Sequence, residues 1–239
     1  MATDGKRRQK SGSGRSLKTR VRTAKGRRLS STLWLQRQLN DPYVQAAQRD
    51  GYRSRAAYKL ADLDDRFKIL RRGAQVVDLG AAPGGWSQIA AARVGRGGRV
   101  VAVDLTAIDA ISGVAFLQLD FNDATAPDTV KAALTGPVDV VLSDMAAPAT
   151  GHRATDHLRI VLLCELALEF AEEVLAPNGS FVAKVLAGGT EADLLARLKR
   201  GFRQVRHAKP AASRKDSAES YVVATGFRGA APAPDDDSD

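Results

Sequence analysis

Cysteine is almost missing from this chain: Cys164 stands alone, and there are only three histidines. A single cysteine excludes an internal disulfide and fits a reducing compartment. It lies in the apolar stretch 160–168 of a predicted helix, where it reads as core filler and not as a nucleophile. His152, His157 and His207 show no metal-ligand spacing with one another or with Cys164, so no metal is assigned. No apolar run approaches the roughly 18 residues of a membrane-spanning helix, and no secretory signal pattern leads the sequence. The expectation is a cytoplasmic protein, monomeric and without a membrane partner.

Acids are scarce at the amino end. Residues 1–30 carry eleven Lys/Arg against Asp4 alone, a net of +10, while the whole chain sums to +9. The basic character therefore belongs to a tail, and the body is close to neutral. That tail is rich in Ser and Gly and poor in apolar residues, so it cannot offset its ordering entropy. It suits a polyanion through counterion release, or serves as a solvated solubility tail. Asp235, Asp236, Asp237 and Asp239 form an opposite, acidic end. The expected organisation is a disordered basic tail over 1–32, one domain over 33–228 and a disordered acidic tail over 229–239.

What is present begins with the stretch Gln75-Val76-Val77-Asp78-Leu79-Gly80-Ala81-Ala82-Pro83-Gly84-Gly85-Trp86-Ser87-Gln88. A short β-branched run, a Gly/Pro turn and a helix start is how an open α/β sheet presents a ligand beyond its strand ends. Glycines there leave room for a ligand and adopt positive φ without strain. An ordinary strand-to-helix turn has the same ingredients, so the rest of the chain decides. Before it, Leu33-Trp34-Leu35 suggests a short helix, Asp41-Pro42-Tyr43 a helix start, and residues 54–67 a helix with Ala57, Leu60, Leu63 and Phe67 at helical spacing. After it, strand-like runs at 99–104, 114–119, 138–143, 180–186, 204–208 and 220–225 alternate with helices predicted at 87–94, 127–134, 156–175 and 191–201. Near-continuous Val/Ile/Leu/Ala runs alternating with helices indicate a mostly parallel sheet covered on both faces. The last two runs lack a long helix between them and predict an antiparallel hairpin. The fold class is α/β: a doubly wound, seven-stranded, mostly parallel sheet of the class I (Rossmann-like) S-adenosylmethionine methyltransferase type.

Three acids close strand runs: Asp104, Asp120 and Asp144. Singly, each is as much a cap or turn former as a ligand; together they mark one sheet edge. A carboxylate at Asp104 suits the two ribose hydroxyls of an adenosine-containing cofactor, and Asp120 lies where an adenine edge would come. The turn Gly80-Ala81-Ala82-Pro83-Gly84-Gly85 departs from the G-x-G-x-x-G pyrophosphate fingerprint. That weakens a dinucleotide and suits a smaller sulfonium ligand. Trp86, at the turn's exit, is read equally as core or as ligand contact.

Several segments together resemble the FtsJ/RrmJ (RlmE) ribosomal RNA 2′-O-methyltransferases. They are residues 53–60 (Arg-Ser-Arg-Ala-Ala-Tyr-Lys-Leu), 78–88, Ser143-Asp144-Met145, 176–184, Ser213-Arg214 and 217–221 (Ser-Ala-Glu-Ser-Tyr). The likeness runs from about residue 33 to 226. It implies a Lys-Asp-Lys-Glu catalytic tetrad at Lys59, Asp144, Lys184 and Glu219. It also implies S-adenosylmethionine as cofactor, with contacts at Gly80, Gly84, Trp86, Asp104, Asp120 and Asp144, and 23S ribosomal RNA of the assembling 50S particle as partner. The chain departs from the pattern at Met145-Ala146-Ala147-Pro148, which has one alanine more than usual and shifts the loop after Asp144.

The chemistry wants these residue types. A ribose 2′-hydroxyl holds its proton at neutral pH, and a free lysine with a pKa of about 10.4 is charged and useless as a base. Two lysines converging in a partly desolvated site repel, and both effects favour the neutral amine. Lys184 interrupts an apolar strand run and is the candidate base; Lys59 supplies a second positive charge. Asp144 holds the Lys184 head or touches the cofactor, and Glu219 orients a lysine or the ribose. Arg53, Arg55, Lys59, Arg66, Lys68, Arg71 and Arg72, joined by Arg206, Lys209, Arg214 and Lys215, form a candidate phosphate-holding surface. The competing readings are 2′-O-methylation of transfer RNA or of an RNA cap, a non-catalytic RNA-binding ribosome-assembly factor, and, most distantly, a nicotinamide-dependent dehydrogenase.

Overall fold

The computed structural model describes residues 29–148, 150–186, 192–214 and 216–229. Of the tails expected over 1–32 and 229–239, residues 1–28 and 230–239 lie outside them, as does Lys215. The chain divides into two compact units between Gln45 and Ala46. The first holds helix α1 (Leu29–Leu39) and the start of α2 (Pro42–Asp50). Helix α1 begins at Leu29, so residues 29–32, assigned to the tail by their composition, are helical.

The second unit is built on a seven-stranded sheet. Its elements are α3 (Ala56–Phe67), β1 (Gln75–Leu79), α4 (Gly85–Val94), β2 (Arg99–Asp104), β3 (Val114–Gln118), α5 (Ala126–Ala132) and β4 (Val138–Ser143), then α6 (Arg153–Val174), β5 (Leu175–Leu186), α7 (Ala192–Gly201), β6 (Phe202–Ala208) and β7 (Glu219–Phe227). The strand order is β3-β2-β1-β4-β5-β7-β6, parallel except for β7, which runs antiparallel to both its neighbours. The sheet is thus of the class I methyltransferase type that the sequence pattern predicts. The hairpin expected from the last two runs forms, with β7 inserted between β5 and β6.

Alternation of side chains along each strand gives two cores. One face packs Val77, Leu79, Val103, Phe181 and Val222 with Val130, Leu168, Phe170 and Leu198, residues of α5, α6 and α7. The other packs Val76, Leu142, Val182, Tyr221 and Val223 against Leu60 and Leu63 of α3 and Trp86 and Ile89 of α4. Cys164 is buried in the first core at 2% exposure, as core filler should be. Among the described residues, no helix is long and apolar enough to cross a membrane.

Two features of this topology place the site. Chain direction across the sheet reverses between β1 and β4, and α/β sheets open a crevice beyond the strand ends at such a point. Residues 80 and 144 follow those two strands, and the Asp144 N–H donates to Leu79 O at 3.0 Å. The second feature is the antiparallel pairing of β7, which sets the start of that strand beside the end of β5: Lys184 faces Tyr221, and Leu186 faces Glu219.

Candidate active site

Lys184 follows Val182 on one face of β5, and its amine reaches the end of β4. Its Nζ lies 2.8 Å from Asp144 Oδ1 and 2.8 Å from the Asp144 main-chain oxygen. Lys59 projects from α3 and lies 2.7 and 2.8 Å from the two carboxylate oxygens of Glu219. Tyr221 joins the pairs: its hydroxyl donates to Asp144 Oδ1 at 2.8 Å and accepts from Lys59 Nζ at 3.3 Å. Ser213 Oγ donates to Glu219 Oε1 at 2.9 Å. Hydrogen bonds therefore run without a break from Ser213 through Glu219, Lys59, Tyr221 and Asp144 to Lys184. All four tetrad side chains are largely but not wholly buried, 11% exposed for each lysine, 17% for Asp144 and 18% for Glu219.

Burial pushes the Glu219 carboxyl up, but the Lys59 charge and hydrogen bond, with Lys184 and Ser213, outweigh it and hold it below the ordinary 4.5. Burial, then the Asp144 and Glu219 charges, pushes the Tyr221 phenol well above 10. Tyr221 thus stays a donor towards Asp144 across the physiological range. The two lysines expected to repel each other instead each have a carboxylate partner, and the phenol bridges the pairs.

Beside this network opens a pocket of about 310 Å³ lined by Gly80, Asp104, Leu105, Asp120, Phe121, Met145, Pro148, Arg159 and Leu162, among others. It meets the network at the peptide between Asp144 and Met145. Asp104 is held by its own backbone: Oδ2 accepts from Ala82 N–H at 2.9 Å and Oδ1 from Thr106 N–H at 2.8 Å. Asp120 Oδ1 accepts from the Asn122 main chain at 2.9 Å and from its side-chain amide at 2.7 Å, and these bonds lower its pKa. Both carboxylates are therefore fixed in position as acceptors.

A model of the FtsJ-like methyltransferase family matches residues 52–227. This chain belongs to that family. A protein named ribosomal RNA large subunit methyltransferase E from Parvibaculum lavamentivorans is 57% identical over the full length of both chains. One of the same name from Xanthobacter autotrophicus is 62% identical, covering 91% of this chain and 87% of its own. A solved structure described as a ribosomal RNA methyltransferase from Plasmodium falciparum aligns with a TM-score of 0.66 at 29% identity, covering 75% of this chain and 100% of its own.

In this FtsJ-like chain the nine expected site positions separate into groups. The tetrad converges, and Gly80, Asp104 and Asp120 line the pocket. Gly84 and Trp86 do not. Trp86 is 2% exposed, its indole N–H donates to Ala56 O at 2.9 Å, and its ring packs 5.5 Å from that of Tyr221. It is core, the other half of its sequence reading. The glycine reading needs a similar correction. At Gly80, with φ +76°, an added Cβ would stand 2.7 Å from Met145 N, so the missing side chain makes room for the Asp144–Met145 backbone as much as for a ligand.

Sequence reasoning gave no role to Tyr221, Ser213 or Asp78. A tyrosine two residues past Glu219 in a strand shares its face, which was the available signal. Asp78 is fully buried, with Oδ2 accepting from Ser87 Oγ at 2.6 Å and Oδ1 without a partner among the described residues. Burial raises its pKa to about 7 against the Ser87 bond, and the charges of Asp144 and Asp104 add to the rise. The basic surface is also altered. Arg53 is engaged with backbone carbonyls, Arg55 Nη2 donates to Ala212 O, and Lys209 Nζ donates to Ser217 O at 2.7 Å, while Lys68, Arg71, Arg72 and Arg206 remain exposed. Among the described residues no group of His, Cys, Asp and Glu is arranged to hold a metal ion.

Proposed function

We propose that this chain is an S-adenosylmethionine-dependent methyltransferase that modifies the 2′-hydroxyl of a uridine ribose in 23S ribosomal RNA, on the assembling 50S particle in the cytoplasm. The observation that carries the reading is the continuous Glu219–Lys59–Tyr221–Asp144–Lys184 network, placed one residue from the wall of the pocket. The relatives named as ribosomal RNA large subunit methyltransferases support the choice of RNA.

The pocket fits the cofactor on its own chemistry. Ribose hydroxyls and an adenine amino group are donors, and Asp104 and Asp120 are fixed acceptors. Leu105, Phe121 and Leu162 offer apolar area for a base, and the acids suit a ligand that carries positive charge. S-adenosylmethionine supplies, when bound, a methyl group already activated by its sulfonium.

The protein's own contribution is alignment and removal of a proton. Orientation is worth on the order of 7–11 kcal/mol in well-placed systems, and a general base about 10²–10⁴-fold. A neutral amine has two N–H donors and one lone pair. In the neutral form that a base requires, the two acceptors presented to Lys184 by Asp144, its Oδ1 and its main-chain oxygen, take those donors and leave the lone pair for the hydroxyl. The 2′-proton passes to Nζ as the oxygen attacks, and the ammonium that results is held by Asp144. Lys59, with its charge matched by Glu219, orients the ribose oxygen. Exposed Arg206, near the end of β6, suits a phosphate contact, which positions RNA without reading its sequence, whereas Lys68, Arg71 and Arg72 lie at the start of β1, the end of the sheet away from the pocket.

The test is transfer of tritiated methyl from S-adenosylmethionine to ribosomal particles from cells lacking the protein, with 2′-O-methyl mapping of the product. Label at a ribose 2′-oxygen of a uridine is expected. Absence of transfer by the wild-type chain, with RNA binding retained, would leave the assembly-factor reading.

A further inference from the structure

Arg53 is counted by charge among residues that would hold RNA phosphates, yet its side chain faces the protein. Nη1 donates to Asp109 O at 2.7 Å and approaches Pro83 O at 3.4 Å, and Nη2 donates to Ala110 O at 2.9 Å. Its backbone N–H donates to Gln88 Oε1 at 2.9 Å, and Gln88 Nε2 returns a bond to Gly51 O at 3.1 Å. The segment entering α3 is thereby tied to α4, to the turn after β1 and to the loop between β2 and β3. Gly84, with φ +106°, lies directly beneath: a Cβ there would stand 3.0 Å from Arg53 Nη1 and 2.8 Å from Ile111 Cδ1. The same turn donates Ala82 N–H to Asp104 in the pocket.

We infer that Arg53 is a positioning residue, holding the Gly80–Gly85 turn and the 105–111 loop in register with the helix that carries Lys59, and that it is not a phosphate contact. The physical reason is the guanidinium itself. Its planar fork carries donors in fixed directions and spans several carbonyls at once, which a single ammonium cannot do. Three backbone acceptors from two loops that approach the cofactor pocket converge on it. Helix α3 starts three residues later, so a shift of either loop is passed to Lys59 and a shift of α3 to Asp104. The inference rests on the methyltransferase reading for its ligand, and on the fold alone for the clamp.

The experiment compares full-length wild type, Arg53→Ala and Arg53→Lys in three measurements. Backbone hydrogen exchange without ligand is expected to quicken at residues 80–85 and 109–111 in both variants. Calorimetry with S-adenosylmethionine is expected to give a dissociation constant raised on the order of tenfold in both, the loss of roughly one hydrogen bond's net contribution. Binding of a ribosomal RNA fragment is expected to keep its affinity and its salt dependence. A phosphate contact gives the opposite pattern: RNA affinity falls, its salt slope drops by about 1, Lys rescues, and cofactor affinity stays. Unchanged exchange in the two loops overturns the clamp even if no cofactor binds, whereas failure of the wild type to bind S-adenosylmethionine overturns the methyltransferase reading alone. Arg53→Lys keeps the charge and serves if Arg53→Ala does not fold.

Discussion

Asp144 receives Lys184 twice, through its side chain and through its own main-chain oxygen, each at 2.8 Å. Because the second acceptor is backbone at the end of β4, the amine is fixed to the sheet itself. Its direction therefore survives side-chain motion of the carboxylate, which is what the proposed base role requires.

Lys184→Ala should lose methyl transfer by about 10²–10⁴-fold or more, the range for removing a positioned base. Cofactor affinity by calorimetry should change little, since Lys184 is outside the pocket wall. Wild-type transfer by the purified variant would show that another group takes the proton.

Tyr221→Phe keeps the ring that packs on Trp86 but removes the hydroxyl linking Lys59 to Asp144. With those partners largely buried, a loss of about 1–3 kcal/mol in urea unfolding is expected, together with a fall in kcat at unchanged cofactor affinity. Equal kcat in the variant would mean that the two ion pairs act independently.

Asp104→Ala should weaken cofactor binding for two reasons: an acceptor disappears from the pocket, and Ala82 and Thr106 lose the carboxylate that fixes their amides. Asp104→Asn retains one acceptor and should fall between. Three equal calorimetric constants would remove Asp104 from the cofactor contact.

Asp78 sets a pH dependence of stability. Its ordinary value of 3.8 rises to about 7 in the fold, by burial first and then by the Asp144 and Asp104 charges. Between those values the folded chain holds a proton that the unfolded chain has released, so stability declines as pH rises through the window and levels off above it. The full decline amounts to roughly 4 kcal/mol at about 1.4 kcal/mol per pH step. Asp78→Asn should flatten it, read as urea midpoints from acid to neutral pH. An unchanged slope in the variant would assign the decline to other groups.

The element boundaries show which signals were local. Strands β1, β2 and β4 occupy the residues their apolar runs predict, because fully buried parallel strands are written as unbroken β-branched stretches. β5 begins at Leu175 instead of Ser180: Leu175 pairs with Val138, the register shifts across the Pro177-Asn178-Gly179 stretch that interrupts the sequence pattern, and pairing resumes at Ser180 with Val140. That Arg53 turns towards backbone carbonyls and Trp86 into the core was not legible, for one reason. Charge and aromaticity are visible in a sequence, but the direction in which a side chain points from a loop or a helix start is not.

By itself the sequence determined the alternation of strands and helices, the glycine turn after β1, and the acids that close β2 and β4, all of which are consequences of period and of residue chemistry within short windows. Only the tertiary structure decided which amine meets which carboxylate. Lys59 and Glu219 are 160 residues apart, and they meet because β7 runs antiparallel beside β5 in one register while α3 packs across that face. Pairing of this kind depends on strand order and on cross-strand alignment, which are properties of the assembled sheet and of no single segment.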